Sequence, residues 1–105
     1  MAIHRKEFNS YRIYYYSGGN NFPMIQCFDG SSYVGALVFD KDGGSFPSNT
    51  VTSNGILYLR YTLSQFNDVI EILRYEKPLY LRLSTPSLVG YLATEEAEPV
   101  GEEES

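Results

Sequence analysis

Cys27 and His4 are the only cysteine and the only histidine in the chain. Together they are the one pairing that could supply a thiol nucleophile and its base. Their surroundings argue for a quieter role. Cys27 stands in the run Met24-Ile25-Gln26-Cys27-Phe28, on the same face of an extended segment as Ile25, where a free cysteine behaves as a small buried hydrophobe. His4 lies in a polar stretch, Ala2 to Ser10, of the kind that frays at a chain terminus. One His and one Cys cannot make the nitrogen and sulfur ligand set that zinc needs, so no metal and no cofactor are expected. Asp40, Asp42 and Gly43 in the run DKDGG echo the first half of a calcium loop. The position that should hold a bidentate glutamate is Val51, so a turn is the better reading. Gly18-Gly19-Asn20 is followed by neither a helix nor Lys-Ser/Thr, which argues against a phosphate cradle.

The distinctive chemistry is aromatic. There are ten tyrosines and no tryptophan. In the alternating pattern of the extended segments, Tyr14, Tyr16, Tyr58, Tyr80 and Tyr91 fall on the face opposite the aliphatic one. Arg12, Arg60 and Arg82 fall among them. If these strands are neighbours, the eight residues form one Tyr/Arg platform. Stacked aromatics with interleaved arginine can hold single-stranded nucleic acid. The same residue types are enriched at protein interfaces. They also suit half-exposed sheet positions with no further role, a tyrosine packing cross-strand with its hydroxyl in water.

The element that must position this face runs from Leu57 to Leu83. Phe66, Val69, Ile70 and Leu73 recur at helical spacing and predict an amphipathic helix over about 63–76, its stripe widened by Ile72 and Tyr75. Thr62-Leu63-Ser64-Gln65 fits a capping box, with Tyr61 and Phe66 placed as a hydrophobic staple. Pro78 ends the helix. On either side, Leu57 and Leu59 alternate with Tyr58 and Arg60, and Leu79, Leu81 and Leu83 alternate with Tyr80 and Arg82. These are strands with a leucine face and a Tyr/Arg face. Either a parallel crossover or an antiparallel return between them is compatible with the spacing.

Further strands are predicted at Tyr11–Tyr16, Met24–Phe28, Ser32–Phe39 and Leu88–Thr94, with a short edge strand near Thr50–Thr52. The turn at Asp29-Gly30-Ser31 reads as a hairpin, and Asn54-Gly55 as another turn. Ser32–Phe39 is apolar on both faces, with Tyr33, Leu37 and Phe39 on one and Val34, Ala36 and Val38 on the other. It is the candidate central strand. Gly35 within it marks a bulge or a close approach by a neighbour. The expected fold is α+β: a mostly antiparallel twisted sheet of five or six strands with one long helix on a face.

At 105 residues the chain fits one domain over 11–94, preceded by a flexible leader (1–10). Residues 95–105 hold six glutamates and no basic residue, and read as a disordered acidic tail. The rest is near neutral, with 8 Lys+Arg against 7 Asp+Glu. No signal peptide or membrane span is visible, and a single cysteine suits a reducing, cytoplasmic setting.

One helix covers one face of a sheet, so the Tyr/Arg face must be solvated or paired. The function expected is therefore a non-enzymatic binding or protein-interaction module. Its partner would be a second copy, in a homodimer, or another protein. The alternative is single-stranded nucleic-acid binding by the same residues.

Overall fold

The computed structural model describes residues 2–18, 22–40, 48–75 and 79–94. They form eight strands and one helix: β1 (Ala2–Phe8), β2 (Ser10–Tyr14), β3 (Met24–Asp29), β4 (Ser32–Asp40), β5 (Thr50–Val51), β6 (Leu57–Thr62), α1 (Phe66–Tyr75), β7 (Leu79–Thr85) and β8 (Gly90–Thr94). The fold is α+β. A mixed five-stranded sheet has the order β2-β3-β4-β6-β5, with β4 and β6 parallel and the other pairs antiparallel. The helix packs on a face of it. A three-stranded antiparallel sheet, β1-β7-β8, accompanies it.

β4 is the central strand, and β5 is the short edge strand beside β6. Gly30 turns the β3–β4 hairpin at φ +63°, a conformation a Cβ would oppose. Gly55 turns the chain into β6 at φ +84°.

Three expectations need correction. Ala2–Phe8 is not a leader: every residue of β1 is in register with β7, from Ala2 opposite Thr85 to Phe8 opposite Leu79. His4, Lys6 and Phe8 pair with the buried Leu83, Leu81 and Leu79, so this strand turns the His4 ring and the Lys6 methylene stem toward the core beside Phe8. Second, β6 and β7 are joined neither as a parallel crossover nor as an antiparallel return. They belong to different sheets, and the parallel partner of β6 is β4. Third, Tyr75 does not widen the apolar stripe, being 65% exposed. The acidic stretch 95–105, the turn residues 41–44 and the helix-ending Pro78 lie outside the described residues.

The two sheets meet through their leucine faces. Leu57, Leu59, Leu79, Leu81 and Leu83 are buried with Ile25, Leu37 and Phe39 in one core cluster. Contact is closest at two glycines: a Cβ on Gly35 would stand 2.6 Å from Leu81 Cδ1, and one on Gly90 2.6 Å from Leu59 Cδ2. β1 and β2 are one extended run interrupted at Asn9. Asn9 N–H donates to the Phe28 carbonyl (2.9 Å), and its Oδ1 accepts the Gly30 N–H (3.1 Å). A single bend thus lets one segment serve both sheets.

The helix begins as the sequence predicts. Thr62 has extended backbone (φ −82°, ψ 155°), and its N–H donates to Gln65 Oε1 at 2.9 Å. A 3₁₀ turn, Leu63–Gln65, leads into α1. Tyr61 and Phe66 flank the Phe39 ring at centroid distances of 5.9 and 4.9 Å. Val69 and Leu73 are buried, and Phe66, Ile70 and Ile72 pack against the same core.

Candidate functional site

Inward-facing residues on β3, β4 and β6 leave their neighbours to form an outer face. On β2 and β3 that face carries Arg12 opposite Gln26 and Tyr14 opposite Met24. On β4 and β6 it carries Ala36 opposite Tyr58 and Val38 opposite Arg60. Between Cys27 and Phe28 the register of the β3–β4 pair shifts, so that Cys27 is opposite Gly35 but Phe28 is opposite Tyr33. This bulge moves Tyr33 off the Leu37–Phe39 face, where simple alternation puts it, and onto the outer face.

The result is a row that crosses four strands. The Arg12 guanidinium lies 5.5 Å from the Phe28 ring centroid. Phe28 and Tyr33 are 5.7 Å apart. The Tyr33 and Tyr58 hydroxyls are hydrogen-bonded at 3.2 Å. At one end Arg12 Nη1 donates to the Tyr14 hydroxyl (3.3 Å), and Tyr14 stacks with Tyr16 at 6.1 Å and 14°. Beside the row is a hollow of about 350 Å³, lined by Ser10, Tyr11, Arg12, Phe28, Gly30 and Ser31.

Arg60 belongs to this face but is occupied. Its Nη1 stands 3.4 Å from both Asp40 carboxylate oxygens, and Asp40 is buried. Its backbone N–H donates to Asn49 Oδ1 at 2.7 Å, while Asn49 Nδ2 donates to the Leu88 carbonyl at 3.0 Å. Asn49 therefore ties β6 to the turn that precedes β8.

The remaining predicted residues lie elsewhere. Tyr80 and Arg82 on β7 and Tyr91 on β8 line the outer face of the three-stranded sheet. Tyr80 and Tyr91 meet edge to face at 6.3 Å, and Arg82 lies 5.4 Å from the Tyr91 ring centroid. Arg5, from the strand mistaken for a leader, covers Tyr80 at 4.1 Å and bonds Glu7 at 3.0 Å. The expected single platform is thus two patches. Because the sheets join through their inner faces, the patches look in opposite directions.

Phe28, Tyr33 and Arg5 are further site residues. Alternation puts Phe28 on the face opposite Ile25 and Cys27, but only the bulge brings Tyr33 there, and Arg5 lies on the strand expected to be a leader. The signal for Phe28 and Tyr33 was present in the hairpin, whose Asp29–Ser32 turn they flank symmetrically.

Burial governs the ionisation of the polar groups in and beneath the site. The Cys27 thiol is pushed up to about 12 by desolvation, so it stays protonated at neutral pH and is a poor nucleophile. Tyr33 is raised by burial first and by the Tyr58 hydrogen bond second. Tyr61 is raised by burial, opposed by a backbone hydrogen bond from Leu92. His4 is in register with Leu83 on one sheet, while Cys27 is opposite Tyr11 and Gly35 on the other. Among the described residues, no three His, Cys, Asp or Glu side chains converge as a metal site would require. No helix among them is long and apolar enough to cross a membrane.

Fold and site together define a small α+β protein with an aromatic cluster on its sheet surface. No family model, curated protein or solved structure matches the chain.

Proposed function

We propose that this protein is a non-enzymatic interaction module that self-associates through the aromatic outer face of its five-stranded sheet. The observation that carries this reading is the Arg12–Phe28–Tyr33–Tyr58 row. It is a continuous line of rings with Arg12 at one end and a hydroxyl pair at the other, on the side of the sheet that α1 does not cover. Rigid tyrosine rings supply large contact area at low entropic cost, and arginine adds donors and a flat face for stacking. Half-buried Tyr14 and the exposed Tyr16 stacked on it extend the apolar area toward the β2 edge.

Nucleic-acid binding is the weaker alternative on the same face. The aromatic row suits base stacking, but tracking a phosphate backbone takes several available cations. Among the described residues this face offers Arg12, while Arg60 is paired with Asp40. The thiol at Cys27 supports no nucleophilic role.

The test is solution mass by light scattering over a range of concentrations, with a short oligonucleotide titration at low salt beside it. A concentration-dependent dimer that weakens in Phe28→Ala is expected. A monomer up to high micromolar concentration would overturn the proposal. Salt-sensitive oligonucleotide binding by such a monomer would establish the alternative.

A further inference from the structure

The self-association proposed above needs a seam, and β2 has the features of one. It is the edge strand of the five-stranded sheet, paired on one side with β3 and, among the described residues, with no strand on its other side. Edge strands present unpaired N–H and C=O groups and are normally guarded by charge, proline or a bulge. Ser10–Tyr14 has no proline, no lysine and no register shift, and carries Arg12 as its one charge. Tyr11, Ile13, Tyr15 and Tyr16 around it are 36, 40, 68 and 43% exposed.

Two antiparallel copies of this edge, related by a two-fold axis, can pair only in registers that keep outer side chains with outer ones. Centring on Arg12 sets two like charges directly opposite, which is destabilising. Centring on Tyr11 puts Tyr15 opposite Glu7, which already belongs to β1 and its partner β7. Centring on Tyr14 requires 15–18 to continue the strand, and Gly18 breaks it at φ +81°. Centring on Ile13 asks only Tyr15 and Tyr16 to extend the strand past Tyr14, short of Gly18. It sets Ile13 against Ile13, Tyr11 against Tyr15, and Arg12 against Tyr14, a pair that already bonds within one chain.

That register also sets Tyr16 opposite Ser10 of the other copy, on the outer face. Ser10 lines the hollow beside Phe28, Arg12, Gly30 and Ser31. We infer that two copies join through β2 about Ile13, each seating its Tyr16 ring in the hollow of the other. The five-stranded sheets then run on into one another, and the aromatic row becomes continuous across both. A ladder over residues 10–16 is a small contact, and the rings of Tyr11, Tyr15 and Tyr16, 36, 68 and 43% exposed in one copy, widen it.

The experiment uses the full chain and three variants. Ile13→Cys places two thiols on the axis, at a strand-pair Cα separation of about 4.5–5.5 Å, within disulfide range. Oxidised glutathione as the electron acceptor should cross-link it to a covalent dimer. Tyr75→Cys, more accessible still on α1, should stay monomeric on denaturing gels, and buried Cys27 should not contribute. Tyr16→Ala should weaken the dimer about tenfold or more, as truncating a central aromatic does, while keeping the wild-type circular dichroism. A dimer that ignores Ile13→Cys and Tyr16→Ala but weakens in Phe28→Ala overturns the β2 seam and leaves face-to-face self-association standing. A wild-type chain that stays monomeric overturns both.

Discussion

Leu81 of β7 reaches across the interface between the sheets and rests its Cδ1 where a Cβ on Gly35 of β4 would stand, 2.6 Å away. The same missing Cβ would lie 2.8 Å from the Leu57 carbonyl oxygen. A side chain can swing aside, but a strand carbonyl cannot without breaking the β4–β6 ladder. Gly35→Ala is therefore expected to destabilise the fold by about 1–3 kcal/mol, the usual cost of overpacking. Gly90→Ala, facing Leu59 Cδ2 at 2.6 Å and the Arg82 carbonyl at 2.8 Å, should behave the same way. Urea unfolding midpoints measure both; wild-type midpoints would mean the sheets are not packed so closely.

Alkaline pH should loosen the protein before acid does anything comparable through these groups. The folded-state thiol of Cys27 is raised from 9.0 to about 12, and Tyr33 and Tyr61 are raised above 10.0. Below 9 both states keep these protons, and the groups add no pH dependence. Between 9 and about 12 the unfolded chain releases protons that the folded chain retains. The unfolded state then binds fewer protons, and stability falls as pH rises. Thermal midpoints at stepped pH should decline from about 9 upward. Cys27→Ala should flatten the first part of that decline, and an unchanged curve in this variant would assign it to the tyrosines alone. In the native protein a disulfide reagent at pH 8 should find no reactive thiol until denaturant is added.

The Asp40–Arg60 pair is enclosed enough for its loss to matter. Asp40 is 4% exposed, and Arg60 keeps a buried Nε without a partner among the described residues. Asp40→Ala strands the guanidinium and should cost roughly 3 kcal/mol, the lower end for breaking a buried pair, given the long 3.4 Å contacts. Arg60→Met with Asp40→Leu should recover much of it. If the double variant is as unstable as the single one, the loss comes from packing and not from the orphaned charge.

The helix face offers a graded comparison. Val69 is 4% exposed, whereas Ile70 is only partly buried. Val69→Asp places a carboxylate in the core at a cost of several kcal/mol, comparable with the whole stability of a small protein. Circular dichroism of this variant should show an unfolded chain. Ile70→Asp should remain folded with a lowered midpoint.

The Tyr33–Tyr58 hydroxyl pair can be read optically. Tyr58→Phe removes a hydrogen bond that raises Tyr33 and should bring its ionisation closer to that of an ordinary phenol, leaving the part due to burial. Ultraviolet difference titration follows this directly. An unmoved titration would mean that the two hydroxyls do not share a proton in solution.

Much of this architecture was legible because local chemistry and tertiary placement agree. Asp29-Gly30 turns where a positive φ is needed. Thr62 and Gln65 cap the helix, and Phe66, Val69 and Leu73 face the core. Ser32–Phe39, apolar on both faces, is the central strand. What stayed hidden follows from three physical circumstances. β1 has no apolar alternation, because His4 and Lys6 occupy inward positions with their stems. The division into two sheets is invisible to alternation, which says which side a residue faces but not which strand lies beside it. So alternation puts Tyr58 and Tyr80 on one surface although their leucine faces oppose each other. Finally, a single register shift at Cys27–Phe28 moved Tyr33 to the other side and with it the middle of the aromatic row.

The pairing of β1 with β7 also bears on how the chain is made. Thr85 Oγ1 bonds the carbonyl of Ala2, a residue 83 positions earlier. Contacts so distant in sequence are closed late and slow the folding reaction. On a ribosome, where residues emerge one after another, the segment 2–8 would be made well before the β7 strand it pairs with. Through most of translation its ladder groups and the apolar Phe8 would stay without their β7 partner. β1 thus waits, with one edge unpaired, for a partner made some seventy residues later.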